Sequence, residues 1–319
     1  MTRTLIITQD IEKGLLNKVK DALPDWNIIS GRNKEVWHDK LNQAEIIVGW
    51  KKEMASACLE QPAALRWLQS WTAGVNNLPL SKLKERDILV TGGNGVHAYP
   101  ISETVFALML ALTRNIHTYV RNQQKKVWHD GSIRLELHQK TIGIIGVGAI
   151  GKETAKIAKA FGMTVLGVRR SAKPTDYVDE MYPIDELNSI LPKCDYVVVT
   201  LPLTKETHHL FGEEQFAKMK RSAFFINIGR GDIVDEESLI TALQQEQLAG
   251  AGLDVVSTEP LPADSPLWEM EQVIITPHTA GATEHYARRL IEDILLPNLK
   301  SYLAGNQPSL NVIDYEAGY

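Results

Sequence analysis

The sequence predicts an α/β protein made of two doubly wound parallel-sheet domains, and three observations carry that prediction. Short apolar runs alternate with helix-period segments along most of the chain, as parallel strands covered on both faces require. The stretch Lys140–Arg170 condenses this alternation into strand, glycine turn, helix and strand. At 319 residues the chain also exceeds a typical single domain.

In chain order, Arg3–Thr8, Trp26–Ser30, Ala44–Gly49, Leu65–Ser70 and Ile88–Thr91 read as strands, and Ile11–Ala22 as a helix ahead of Pro24. Small residues in Trp71-Thr72-Ala73-Gly74-Val75 present backbone N–H groups after a strand, which by composition is a plain loop. Gly92-Gly93-Asn94-Gly95 is flexible punctuation, and the apolar segment Ile101–Asn122 reads as one long helix with Ser102 as its N-cap. A domain boundary is therefore expected near residue 97, followed by the polar stretch Arg121–Gln139.

Within Lys140–Arg170, the strand Thr141–Ile145 runs into Gly146-Val147-Gly148-Ala149-Ile150-Gly151. Ile150, Thr154, Ile157, Ala158 and Phe161 then share a helix face, Gly162 supplies a left-handed stop, and Met163–Val168 is the next strand. The three glycines meet separate needs. Gly146 allows the tight turn, Gly148 lets a pyrophosphate approach the backbone, and Gly151 lets helix and strand pack closely. Free N–H groups and the dipole at the helix start favour an anion there. This is the spacing of a Rossmann-like dinucleotide-binding unit.

Beyond Arg170 come strands at Asp195–Thr200, Ala223–Ile228, Ala249–Val255 and Gln272–Thr276. Ligands of open parallel sheets bind outside the carboxyl ends of the strands, so these ends deliver Arg230, Asp254, Glu259 and His278 towards the glycine turn. Thr283–Leu303 reads as a final amphipathic helix kinked at Pro297.

An arginine, a glutamate and a histidine are the parts needed to reduce a 2-oxo acid by hydride transfer. His278 is the candidate general acid, and Glu259 would pair with its other ring nitrogen, orient it and favour its charged form. Arg230 would grip the substrate carboxylate and polarise the adjacent carbonyl. Taken singly, each has a plainer reading as a surface ion pair, a solvated turn or a structural histidine. No acid or thiol clusters with His208-His209 in sequence, so no metal site is expected.

Composition narrows the partners. The chain is 44% hydrophobic with a net charge of −5, which gives no reason to expect nucleic acid or an anionic membrane. Cys58 and Cys194 are well separated, and Cys194, at the mouth of an apolar strand, is expected as a buried reduced thiol rather than a disulfide or metal ligand. No signal-peptide run and no bilayer-length apolar stretch occurs, so a cytoplasmic protein is expected.

The chain resembles the D-isomer-specific 2-hydroxyacid dehydrogenases, and within them the glyoxylate/hydroxypyruvate reductase branch. The resemblance rests on GVGAIG (146–151), VTLPLT (199–204), INIGRG (226–231), GLDVVSTEPLP (252–262) and TPHTAGAT (276–283), in order along nearly the whole chain. It implies that Arg230, Glu259 and His278 are the catalytic trio. It further implies that Ala73 and Gly74 bind the substrate carboxylate through backbone N–H groups, overturning the loop reading. Asp254, Ala280 and Gly281 match positions beside the nicotinamide, Leu201 and Pro202 those on the adenine side, and Thr207, Ile228 and Gly229 join the cofactor set. Both chain ends would build the substrate domain, 1–98 with 283–319, beside a dinucleotide domain 99–282. That second domain is the family's usual homodimer surface, and the active site would lie in the cleft between a flavodoxin-like and a Rossmann-like domain. Because the sequence ends soon after its last helix, the extra domain of the longer phosphoglycerate dehydrogenases is not expected. Some relatives act instead as nucleotide-sensing corepressors, a class the full trio argues against.

One departure bears on the cofactor. NAD enzymes of this type carry an acid about twenty residues past the glycines, where this chain has Val168-Arg169-Arg170-Ser171. Two cations and a hydroxyl suit a 2′-phosphate, so NADP is expected over NAD, the alternative being two solvated arginines. Trp50 and Tyr99 are candidates for the substrate wall, with plain packing as the other reading. A bulky wall would favour small acids such as glyoxylate and hydroxypyruvate.

Overall fold

A computed structural model describes residues 3–60, 63–75, 77–131 and 134–315. Asn76, which the WTAGVNN motif includes, lies outside the described residues. The chain divides into two compact units, Met1–Val96 with Thr283–Tyr319, and His97–Ala282.

The first unit holds a five-stranded sheet of β1 (Thr4–Ile7), β2 (Asn27–Ser30), β3 (Ala44–Val48), β4 (Trp67–Gln69) and β5 (Leu89–Thr91). All its pairs are parallel and the order is β2-β1-β3-β4-β5, which is the flavodoxin-like order. Successive side chains of a strand point to opposite faces, so Leu5 and Ile7 enter one core and Ile6 the other. The first of those cores is completed by Leu290, Ile291, Ile294, Leu295 and Leu299 from the C-terminal helical segment.

The second unit holds a seven-stranded parallel sheet: β6 (Thr141–Ile145), β7 (Thr164–Val168), β8 (Glu180–Tyr182), β9 (Tyr196–Val199), β10 (Phe224–Asn227), β11 (Gly250–Leu253) and β12 (Val273–Ile275). Its order, β12-β11-β10-β9-β6-β7-β8, is the Rossmann order with one strand added. The order reverses at β6, so the crevice of the sheet opens between the carboxyl ends of β6 and β9. Both faces are covered, with Val197 and Val199 in one core and Tyr196 and Val198 in the other.

Several expectations are corrected. Ser102 does not cap a helix: it lies inside Ala98–Thr113, buried, and its Oγ donates to the Ala98 carbonyl at 2.7 Å. The helix starts three residues early because Pro100 sits in its first turn, where a missing N–H costs nothing. The expected single helix breaks at Asn115, which has φ +52°, and resumes as Ile116–Gln124. Strand β8 escaped the sequence reading because three residues at a sheet edge carry no period. The C-terminal helix begins at Tyr286, and a π-helical stretch, Leu290–Leu295, precedes Pro297. That widening accommodates a proline, which has no N–H to donate into the preceding turn.

Gly162 has φ +70° and does stop its helix. Cys58 and Cys194 are free and buried, and desolvation pushes both thiols up to about 12, so they are inert packing residues. Among the described residues no helix is long and apolar enough to cross a membrane.

Candidate active site

The three motif glycines of the dinucleotide turn meet three different surroundings. Gly146 has φ +111°, and a Cβ there would sit 2.9 Å from the Leu201 nitrogen. At Gly148 a Cβ would meet nothing within 4 Å, so the space outside the turn is open. At Gly151 it would strike the Gly146 carbonyl at 2.6 Å, so helix and strand are in direct contact. Gly148 is the N-cap of helix Ala149–Ala160 and supplies no side-chain cap, which leaves the start of that helix to an anion. The residues present therefore fit a dinucleotide pyrophosphate.

Neighbouring strand ends close around this turn. Thr200 Oγ1 donates to the Gly146 carbonyl at 2.5 Å, and a Cβ at Gly229 would lie 2.7 Å from the Leu201 carbonyl. Thr207 Oγ1 donates to the Pro202 carbonyl and accepts from the Thr204 N–H, both at 2.7 Å. Its hydroxyl thus shapes the Leu201–Pro202 loop from within. The Ile228 side chain is buried in the core of the unit. Arg169, Arg170 and Ser171 follow directly on β7, beside β6. One nitrogen of the Arg169 guanidinium bonds the Lys173 carbonyl, while its Nε is buried without a partner.

Glu259 and His278 are paired directly, and the turn bearing Arg230 touches the segment that leads to Glu259 through backbone contacts. Asn227, buried at the end of β10, accepts from the Gly229 N–H at 3.0 Å and donates to the Arg230 carbonyl at 3.1 Å, folding the GRG turn. A Cβ on Gly231 would stand 2.0 Å from the Val256 carbonyl oxygen, so this turn lies directly on the segment leading to Glu259. Glu236 Oε2 accepts from the Ser257 N–H at 2.9 Å and ties the same two segments. Arg230 itself is exposed and donates to the Gly229 carbonyl at 2.6 Å.

Glu259 Oε2 lies 2.7 Å from His278 Nδ1, both side chains being partly open to solvent. A carboxylate only accepts, so Nδ1 carries the proton of this bond and Nε2 is left for other chemistry. His278 has φ +53°, a conformation rarely adopted outside glycine, asparagine, aspartate and histidine. Asp254 enforces it. Its buried carboxylate accepts from Thr276 Oγ1 at 2.6 Å, Thr279 N at 3.0 Å and Ala280 N at 3.1 Å, while its carbonyl accepts from His278 N at 2.9 Å. Asp254 thus shapes the histidine loop with its whole carboxylate. Gly281 packs against His97, whose Nδ1 bonds the Gly281 carbonyl at 2.8 Å.

The remaining candidates lie on other segments of the chain. Tyr99 is exposed in the first turn of helix Ala98–Thr113. Trp50, just past β3, is half-buried and packs one side against the core of the first unit. Ala73 and Gly74 belong to that unit too, in the turn after β4. His208 and His209 stack at 4.0 Å, and no group of metal-ligating residues occurs among the described residues. Sequence reading passed over Asn227, whose only signal is a polar residue closing an apolar strand.

The profile of the family described as D-isomer specific 2-hydroxyacid dehydrogenase, NAD binding domain, matches residues 106–280. The chain belongs to this family. The D-2-hydroxyacid dehydrogenases are NAD(P)-dependent oxidoreductases, and so is this protein. Among relatives, a glyoxylate reductase of Korarchaeum cryptofilum is 32% identical over 99% of this chain and 97% of its own. A glyoxylate/hydroxypyruvate reductase B of Escherichia fergusonii is 35% identical over 96% of each. The solved D-isomer specific 2-hydroxyacid dehydrogenase family protein of Aeromonas salmonicida superposes with a TM-score of 0.83 at 34% identity, covering 99% of this chain and 100% of that one. An NADPH-dependent glyoxylate/hydroxypyruvate reductase of Sinorhizobium meliloti, solved with NADP and sulfate, superposes at 0.81 with 28% identity over the whole of both chains.

Proposed function

We propose that this dehydrogenase reduces a small 2-oxo acid of the glyoxylate or hydroxypyruvate kind to the D-2-hydroxy acid, with NADPH as reductant. The observation that carries the reading is the 2.7 Å Glu259–His278 contact, which leaves Nε2 as the proton donor. The dinucleotide, when bound at Gly146, Gly148, Ala149, Ile150 and Gly151, supplies the hydride. Leu201, Pro202, Thr207, Ile228, Gly229, Asp254, Ala280 and Gly281 complete its surroundings. His278 protonates the forming alkoxide, Glu259 orients the ring, and Arg230 holds the carboxylate and polarises the carbonyl. Ala73 and Gly74 hold the same carboxylate through backbone N–H groups, and Trp50 and Tyr99 limit the size of the acid. NADPH oxidation by the purified protein across a panel of 2-oxo acids tests this. Tight NADPH binding without turnover on any of them overturns it.

For the cofactor, the buried and unpartnered Arg169 Nε supports NADPH. Such an orphan costs about 1–3 kcal/mol, and an added phosphate oxygen would satisfy it. With Arg170 and Ser171 alongside, a roughly tens- to several-hundredfold preference for NADPH is expected. Replacing Arg169 and Arg170 with Ala should raise the KM for NADPH and leave that for NADH nearly untouched, and salt should erode the wild-type preference. Unchanged discrimination in kcat/KM by the double variant contradicts this assignment. NAD remains the second reading. Glu206, held by Thr204 Oγ1 at 2.7 Å, lies in the field of Arg170 and competes with any phosphate there.

The protein is further proposed to act as a homodimer through its dinucleotide unit, in a reducing, cytoplasmic compartment that suits its two unpaired thiols. Trp128 is fully exposed, and Ile116, Val120, Val127 and Leu135 are exposed around the same helix and loop. An apolar surface of this kind marks an interface. Light scattering should give a dimer for wild type and a monomer for Trp128→Glu. A monomeric wild-type protein would end the proposal.

A further inference from the structure

The last residue of β4 is a glutamine with no solvent exposure and no part in the chemistry above. Its amide orientation is fixed by neighbours. Trp67 Nε1 can only donate, and it donates to Thr91 Oγ1 at 2.8 Å. The single Thr91 hydroxyl proton is then directed to Gln69 Oε1, at 2.6 Å. Gln69 Nε2 consequently faces carbonyls, donating to Ser70 O at 2.9 Å and Gly92 O at 3.0 Å. The side chain staples the exits of β4 and β5, at the carboxyl edge of the sheet where ligands of such folds bind.

That staple sets the next contacts along the loop. Gly93 N donates to Thr72 O at 3.1 Å, and a Cβ on Gly93 would stand 3.3 Å from the Thr72 carbonyl carbon, so the loop rests on this glycine. Ser70 Oγ donates to the same Thr72 carbonyl at 2.9 Å, Thr72 Oγ1 donates to Gly74 O at 2.8 Å, and the Tyr286 hydroxyl donates to the Trp71 carbonyl. A trans peptide is planar, with its C=O and N–H pointing opposite ways. Holding Thr72 O down against Gly93 therefore aims the Ala73 N–H away from that support.

We infer that Gln69 is a positioning residue for substrate binding, its buried amide fixing Gly92 against Ser70 so that the Ala73 N–H is held ready for the substrate carboxylate. The inference rests on the proposed role of Ala73 as a carboxylate ligand. Shape alone does not explain the residue, since an apolar side chain of equal volume would fill the space without burying an amide.

The test uses Gln69→Met, which keeps the volume and removes every hydrogen bond, with Thr91→Val and Thr91→Ser. KM for glyoxylate should rise about tenfold or more in Gln69→Met and in Thr91→Val, because misplaced positioning groups cost up to about 10²-fold. kcat at saturating glyoxylate and NADPH affinity should stay within about twofold, the signature of lost ground-state binding. Thr91→Ser keeps the hydroxyl and should track wild type. Parallel loss of kcat, NADPH affinity and thermal stability would mark a merely structural glutamine and overturn the inference. If Gln69→Met does not fold, the two Thr91 variants decide, and equal KM for Val and Ser overturns it. Ala73→Pro separates the two readings, because it deletes the N–H. An unchanged KM there defeats the carboxylate role of Ala73, and the positioning role with it. A raised KM in Ala73→Pro beside a normal one in Gln69→Met defeats Gln69 alone.

Discussion

Replacing His278 with Asn is expected to lower reductase turnover about 10²- to 10⁴-fold, the usual worth of general acid catalysis, while NADPH binding is largely retained. Asn is the better choice than Ala, because the residue has φ +53° and asparagine tolerates the left-handed region. The Asp254 contacts to Thr276, Thr279 and Ala280 do not involve the imidazole, so the loop survives the change. Single-turnover rates with glyoxylate, beside an NADPH fluorescence titration, separate chemistry from binding. Turnover within about threefold of wild type would remove His278 from the mechanism.

Gly231→Ala is expected to be nearly as damaging although the residue has no chemistry. Its Cβ would lie 2.0 Å from the Val256 carbonyl oxygen and 2.5 Å from the Ser257 nitrogen, both backbone atoms. The GRG turn and the segment bearing Glu259 must then separate by roughly an ångström. A displacement of that size costs up to about 10²-fold in rate, and overpacking about 1–3 kcal/mol in stability. Both kcat/KM and the melting temperature should fall. A variant with wild-type kinetics would show that the spacing of Arg230 and Glu259 is not critical.

The strand alternation was legible because both sheets are parallel and buried on both faces, which makes each strand a compact apolar run. The glycine turn was legible for a related reason: Gly146, Gly148 and Gly151 each meet a different steric demand, and few other residues satisfy all three. The Glu259–His278 pairing could be anticipated because parallel topology sends strand ends to one edge, and the family resemblance named the same two residues together with Arg230. The start of helix Ala98–Thr113 was not legible, since Pro100 reads as a breaker unless its place in the first turn is known. Nor was the work of Asp254, Asn227 and Gln69. Each is a polar residue whose partners come from segments distant in sequence, and no local period records such a partnership.

The core of the first unit needs Leu290, Ile291, Ile294, Leu295 and Leu299, yet its whole sheet is encoded before Val96. On the ribosome, the early sheet must therefore wait for more than half of the chain. At roughly 5–20 residues per second, the delay between those segments is on the order of ten to forty seconds. Throughout it, Leu5, Ile7, Val19 and Val48 lack the helix that covers them, whereas His97–Ala282 is continuous and can condense as it emerges. The amino-terminal residues, first to be synthesised, are thus the last to become native. A nascent chain stalled after Ala282 should be cut by protease within residues 3–96 and resist it beyond them, and equal resistance of both segments would contradict this order. Chain layout of this kind makes the unfinished first unit a client for chaperones that shield apolar segments during synthesis.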